Sequence, residues 1–237
     1  MILTAHQPVY LPWLGLFHKI ALADQFCIFD IAQYQKKDFN NRNKIKTHTG
    51  PIWLSVPVES KDHFSKSLAQ IKILNNGWNR KHFTSIDLAY KKAPFYRDYI
   101  GELETILLTR SYEDLAALNR ATLEFGLRAL NITTPIVTAT DYEFRGQKSD
   151  LVLDMCRQLG ANTYIFGAQG RNYADVGSFT SAGIDARFQD YQHPTYPQLH
   201  GSFEPYMSVI DLLFNAGPES AKILMSGNAA SAAQLAH

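Results

Sequence analysis

Short apolar runs alternate with longer amphipathic stretches over most of the chain. Residues 2–5 form the first run, which Pro8 stops. Pro12 suits the first turn of a helix, where its missing N–H would have no intrahelical partner. The spacing predicts a helix to about residue 23 and a second strand over 26–29. Two apolar runs joined through a helix of this length read as a βαβ crossover, and such crossovers make parallel sheets. The loop 6–11 then lies where the first strand hands over to the helix. In open α/β sheets that edge binds ligands.

Further along, 52–58 and 69–73 read as strands, the second alternating as a half-buried strand should, with Pro57 at a strand end. The middle of the chain is helical: 79–91 and 94–108, broken at Ala93-Pro94, then 112–130 with Leu115, Leu118, Thr122, Phe125 and Ala129 on one stripe. Alternation resumes with a strand at 136–139, a helix at 149–159 with Ser149 as N-cap, and a strand at 163–166 ending at Gly167. A short helix at 174–182 and a strand at 186–189 follow. The stretch 188–206 is too rich in proline for regular structure, and a helix at 208–215 precedes a tail from 228 expected to fray. The expected fold is a single α/β domain over 1–227: a mostly parallel Rossmann-like sheet with a mixed edge, flanking helices and a helical insertion at about 78–130.

Composition narrows the function classes. With 46% hydrophobic and 19% charged residues in 237, the chain has enough apolar surface to offset the entropy of ordering, so it is not a disordered tail protein. A formal net charge of +1 argues against a protein built around a nucleic acid backbone. The first residues lack a basic region, and no run approaches the roughly 18 apolar residues a membrane span needs, which leads to the expectation of a cytoplasmic protein. Cys27 and Cys156 sit in apolar surroundings and read as core residues. Walker A, G-x-G-x-x-G, H-E-x-x-H, G-x-S-x-G and paired Cys-x-x-Cys patterns are all missing, so the sequence assigns no metal ligands and no cofactor.

Four segments are candidates for chemistry. In the first loop His6, Gln7, Tyr10 and Trp13 are set between prolines, with His18 and Lys19 further on; rigid loops at a sheet edge can aim side chains at a ligand. Asp30 ends the second strand, and after it come Gln33 and the basic stretch 36–46, five basic residues against one acidic, net +4. Asn41, Arg42 and Lys44 there offer donors suited to phosphate or carboxylate oxygens. Gly167 and Gly170 allow a close backbone approach, with Arg171 as a phosphate contact. Finally Tyr191, His193, Tyr196 and Gln198 either line a pocket for a sugar or a base, or simply cover one end of the sheet.

The run His6-Gln7-Pro8-x-Tyr10-Leu11-Pro12-Trp13-x-Gly15-x-Phe17-His18-Lys19-Ile20, with Asn41-Arg42-Asn43, Trp53-Leu54-x-Val56-Pro57-Val58, His193-Pro194-x-Tyr196-x-Gln198 and Asp211 to Gly217, resembles the WbqC-like family over nearly the whole chain. The resemblance implies a bacterial protein of O-antigen, surface polysaccharide or secondary-metabolite biosynthesis that moves an acyl or aminoacyl group, such as glycyl, onto an amino sugar. A small-molecule substrate, as a nucleotide-linked amino sugar, and an acyl donor would be its partners. Such a transfer would use His6 as base, Asn41 or Gln7 as oxyanion donor, Arg42 with Lys44 as phosphate grip, and Asp30 to orient a histidine or hold a sugar hydroxyl. The opening is more weakly similar to nucleotidylyltransferases of HUP-type fold, whose His-x-Gly-His is absent. A non-catalytic sugar- or partner-binding protein is the third alternative.

Overall fold

The computed structural model describes residues 1–59 and 65–237. Strand β1 (Ile2–His6) leads through helix α1 (Leu14–Ala21) into β2 (Gln25–Ile28). An antiparallel hairpin of β3 (Arg42–Thr47) and β4 (Gly50–Ser55) follows, then helices α2 (Trp78–Tyr90), α3 (Tyr96–Glu104) and α4 (Leu115–Ala129), and then β5 (Ile136–Thr138). The chain goes on through α5 (Lys148–Leu159), β6 (Thr163–Phe166), α6 (Val176–Ser181) and β7 (Asp185–Phe188), and closes with α7 (Val209–Ala216) and α8 (Ser220–Met225).

Five strands make one sheet in the order β5-β2-β1-β6-β7, every neighbouring pair parallel. This is the Rossmann-like α/β arrangement: among the described residues the antiparallel strand pair is the separate β3–β4 hairpin, and the sheet edge at β7 carries a single antiparallel bridge, Phe188 to Ala236, in place of an antiparallel edge strand. The sheet is buried on both faces, which is why its inner strands read as largely apolar runs, while the edge strand β7 alternates Asp185 and Arg187 with buried Ala186 and Phe188. In β2, Phe26 and Ile28 enter the larger core with Phe17, Phe125 and Phe214, while Cys27 enters the opposite core with Val152, Met155 and Phe166. Asp24 aligns the first two strands: its carboxylate accepts from the Ile2 N–H at 2.7 Å, and its own N–H donates to the Ile2 carbonyl at 2.9 Å.

Chain order matters for the site. From β1 the sheet grows first toward β2 and β5, and then on the other side through β6 and β7. The two halves part between β1 and β6, and the crevice beyond the carboxyl ends of those strands is where this architecture binds ligands. His6 ends β1 there and Gly167 follows β6.

Three local expectations change. Residues 69–73 form no strand: a 3₁₀ turn over Leu68–Gln70, in a capping box with Ser67, leaves only single bridges at Lys72 and Ile73. Ser149 lies inside α5, with Gln147 at the N-cap position, and its hydroxyl accepts from the Asp175 N–H at 2.8 Å. The tail is docked. Ala232 and Leu235 are buried, the Phe188 N–H donates to the Ala236 carbonyl at 2.9 Å, and the Arg187 guanidinium donates to the Leu235 carbonyl at 2.9 Å. It covers the open side of β7, an edge whose unpaired backbone would otherwise be exposed.

Candidate functional site

A cleft of about 460 Å³ opens at the switch point, and a second chamber of about 200 Å³ adjoins it. His6, Gln7, Lys19, Gly167 and Gln169 line both, so the two spaces meet at the carboxyl ends of β1 and β6. Trp13, Phe39, Tyr191 and Tyr206 wall the larger one, with Asp38, Gln189 and Asp190 as polar groups. Phe29, Val152, Tyr164 and Tyr173 make the smaller one more apolar.

His6 is fixed by its neighbour. A carbonyl oxygen only accepts, so the 2.8 Å contact to the Gln7 carbonyl makes Nδ1 the donor and leaves the lone pair on Nε2. The ring meets Trp13 edge-on, with centroids 5.3 Å apart. Burial, and then the Lys19 charge, hold its pKa down to about 4, against the opposing pull of the Gln7 carbonyl. The imidazole is therefore neutral at physiological pH and presents an unprotonated nitrogen.

Lys19 lies on α1, whose residues from Leu14 to Ile20 are all buried. Its Nζ donates to the Ala5 carbonyl at 3.0 Å, and a Cβ built on Gly167 would lie 3.9 Å from it. Among the described residues it forms no ion pair, and burial lowers its pKa to about 8. Lys19 is the site residue that the sequence reading noted but did not select. The signal for it was a lysine inside a helix that is apolar except for His18 beside it, where a solvated surface lysine does not belong.

Gln7 accepts from the Asn40 amide at 3.3 Å through Oε1, which fixes its side chain at the junction of the chambers. Gly15 is tightly enclosed: a Cβ there would come within 3.0 Å of both Trp13 Nε1 and Tyr191 Cδ1. Only glycine lets these two aromatic walls approach the helix together.

His6, Gln7, Trp13, Gly167 and Tyr191 thus come together, with Gly170 on the smaller chamber, while the remaining sequence candidates lie elsewhere. His18 donates from Nε2 to the Ala229 carbonyl at 2.9 Å and accepts at Nδ1 from the Gln189 amide at 2.8 Å, so both ring nitrogens are occupied. Its effect on the cleft is indirect, through Gln189, which also donates to the Gly15 carbonyl. Tyr10 is buried against His82, 3.0 Å from hydroxyl to Nδ1. The Asp30 carboxylate accepts from the Thr140 N–H and hydroxyl at 3.1 and 3.0 Å, and Gln33 bridges to Ser67. Asn41 donates to the Val56 carbonyl at 2.7 Å, which closes the hairpin. Arg42 stacks on Trp53 with its guanidinium carbon 4.2 Å from the ring centroid, Lys44 reaches the same ring at 5.2 Å, and the Arg42 guanidinium donates to the Lys37 carbonyl. Arg171 is exposed and lies 4.5 Å over the Phe188 ring.

The 191–206 segment is held by a buried carboxylate. Tyr90, Tyr196 and Gln198 donate to Asp211 at 2.8, 3.0 and 2.6 Å, and Lys46 donates to Gln198 at 3.1 Å. Tyr196 and Gln198 are therefore fasteners of the segment whose start, Tyr191, walls the cleft. His193 sits in the aromatic cluster of Tyr191, Tyr196, Phe203 and Tyr206.

The sequence model of the WbqC-like protein family matches residues 7–223. The chain belongs to the WbqC-like family. A relative, "Uncharacterized protein Rv1507c" of Mycobacterium tuberculosis, is 35% identical over 215 residues, covering 90% of this chain and 93% of its own. No solved structure matches the chain. Among the described residues no group of three or more His, Cys, Asp or Glu side chains is placed to hold a metal ion, and no helix is long and apolar enough to cross a membrane.

Proposed function

We propose that this WbqC-like protein is a cytoplasmic transferase that moves an acyl or aminoacyl group, such as glycyl, onto the amine of a nucleotide-linked amino sugar, in the biosynthesis of surface polysaccharides such as O-antigen or of secondary metabolites. The observation that carries the reading is the meeting of two chambers at a neutral histidine: a bimolecular transfer needs two substrates held with their reacting atoms side by side. The larger, aromatic-walled chamber suits a sugar, and the smaller apolar one a short acyl group.

In this reading the amine nitrogen attacks the acyl carbon, and His6 Nε2 takes the proton that the nitrogen sheds as the C–N bond forms. Gln7, whose carbonyl end is tied to Asn40, donates its amide N–H to the tetrahedral oxyanion. Collapse breaks the bond to the donor's leaving group, which departs with the electron pair and recovers the proton from His6. Arg42 and Lys44, committed to Trp53, are not needed as a grip.

The test is turnover of a nucleoside-diphosphate amino sugar with acyl or aminoacyl thioesters by wild type and His6→Gln. Loss of base catalysis lowers kcat by roughly 10²- to 10⁴-fold, with the melting temperature within a few degrees of wild type. An unchanged kcat removes His6 from the mechanism. Nucleotidyl transfer is the second reading, favoured by the position of the cleft at the switch point of a parallel sheet; release of pyrophosphate from ATP with magnesium and a sugar phosphate would move the assignment there.

A further inference from the structure

The cleft contains a charge with no ion-pair partner among the described residues. Lys19 is 4% exposed, yet its ammonium, with three donors, makes one hydrogen bond among the described residues, to a neutral carbonyl. Burying an unpaired ammonium is costly, and a hydrophobic side chain of similar length would fill the same space without that cost. A fold keeps such a group where a ligand completes it. The ammonium stands where the two chambers join, beside a glycine that leaves the approach from β6 open, and among the described residues no carboxylate lies within ion-pair distance. The basic residues that sequence density picks out, Arg42 and Lys44, are occupied by Trp53.

We infer that Lys19 is the anchor for a substrate oxyanion, a phosphoryl or carboxylate group held at the junction of the two chambers between His6 and Gly167. The inference deepens the transferase reading and shares its site, but it concerns binding and does not depend on acyl transfer. It also links the two site residues. The Lys19 charge helps to hold the His6 imidazole down, so an anion seated on the ammonium offsets that charge and returns His6 toward its ordinary basicity when substrate is present.

Around the chambers, His6 is neutral well below pH 8, burial raises the hydroxyls of Tyr164, Tyr173 and Tyr191 above their usual range, and Asp38 and Asp190 supply the carboxylates. Lys19, lowered to about 8, is then the group that titrates just above neutrality. The anion binds the protonated amine, so its Kd stays flat between about pH 7 and 8 and rises by about tenfold per unit above that.

The experiment is a thermal-shift titration of the purified protein with sulfate, inorganic phosphate, acetate and glycine, without any acyl donor. Wild type should gain roughly 5–10 °C at about a hundredfold excess over Kd. Sulfate and phosphate acting alone would mean a phosphoryl group, and acetate and glycine acting alone a carboxylate. Lys19→Met should lose the shift while melting, without anion, at or above the wild-type temperature. A purely structural Lys19 predicts a lower melting temperature in Lys19→Met. The pH series with sulfate, which does not titrate here, uses wild type alone and so stands even if the variant misfolds. No shift in wild type, a full shift in Lys19→Met, or a sulfate Kd indifferent to pH between 7 and 10 would overturn the assignment. Anion binding through Lys19 without acyl transfer would retain this inference and remove the preceding one.

Discussion

Leu11 has φ of 44°, the left-handed region that a side chain rarely adopts, in the loop that carries His6 toward α1. Its neighbours hold it there: the Asn43 amide donates to the Leu11 carbonyl at 2.6 Å, and the Leu11 N–H donates to the Thr122 hydroxyl at 3.3 Å. Asn40 donates to the Pro8 carbonyl at 3.1 Å and pins the same loop from the hairpin side. Asn40 and Asn43 of the basic stretch thus serve the backbone, because a buried loop must find partners for carbonyls that no ladder satisfies. Asn43→Ala should leave the Leu11 carbonyl buried and unpaired and release the strained turn, at a cost of about 1–3 kcal/mol in chemical denaturation. Asn43→Asp, which cannot donate when ionised, should cost at least as much. A loss below about 0.5 kcal/mol for both would mean that the loop holds its shape without this contact.

The strands and helices were readable from the chain to very different degrees. Strands β1, β2 and β6 stand out because a sheet covered on both faces demands apolar residues at most positions, β7 at the edge shows instead an alternation of Ala186 and Phe188 with Asp185 and Arg187, and His6, Gln7, Trp13 and Tyr191 were visible as polar or aromatic residues at the loop edges. The β3 strand was hidden because its buried positions include Asn43 and Lys46 beside Ile45, so hydrophobic alternation does not report it. The fate of Arg42 and Lys44 was equally hidden: it depends on the hairpin register that sets Lys44 opposite Trp53. Lys46 belongs to the polar lock on the 191–206 segment, where hydroxyls and an amide surround the Asp211 carboxylate. Tyr196→Phe removes one of those donors and should destabilise by about 2 kcal/mol. Limited proteolysis should then cut within 191–206 sooner than in wild type, since the segment has no ladder of its own to fall back on. Equal cleavage rates would show that packing of the aromatic cluster alone retains it.

Across the molecule, four histidines among the described residues are taken out of water in the neutral form. His6 and His82 are held down to about 4, chiefly by burial, and burial also lowers His18 and His193. An unfolded chain takes up these protons near pH 6.5, whereas the folded one takes them up only at lower pH, near 4 for His6 and His82. Between those limits the unfolded state binds more protons, so stability falls as pH falls from about 6.5 toward 4. Asp30 and Asp211 act in the opposite sense: burial raises both, so the folded state holds their protons more tightly and recovers some stability as pH falls toward 3.8. Four imidazoles outweigh two carboxyls over the upper part of the range, where the carboxyls of the unfolded chain remain ionised. His82 makes the cleanest probe, since it is 6% exposed and sits outside the cleft, against the Tyr10 hydroxyl, the Trp78 ring and the Ser55 backbone, whose hydrogen bond offsets part of the effect of burial. Its shift alone is worth about 3 kcal/mol across the full window, and about 2 kcal/mol between pH 6.5 and 5. Urea denaturation of wild type should therefore show a marked loss between those two values. His82→Gln, though less stable at pH 7 for want of a fitted ring, should lose about 2 kcal/mol less over the same interval. Parallel pH profiles for the two proteins would mean that His82 is protonated in the folded state as readily as in the unfolded one, and would place the acid sensitivity on the histidines of the cleft and its supports.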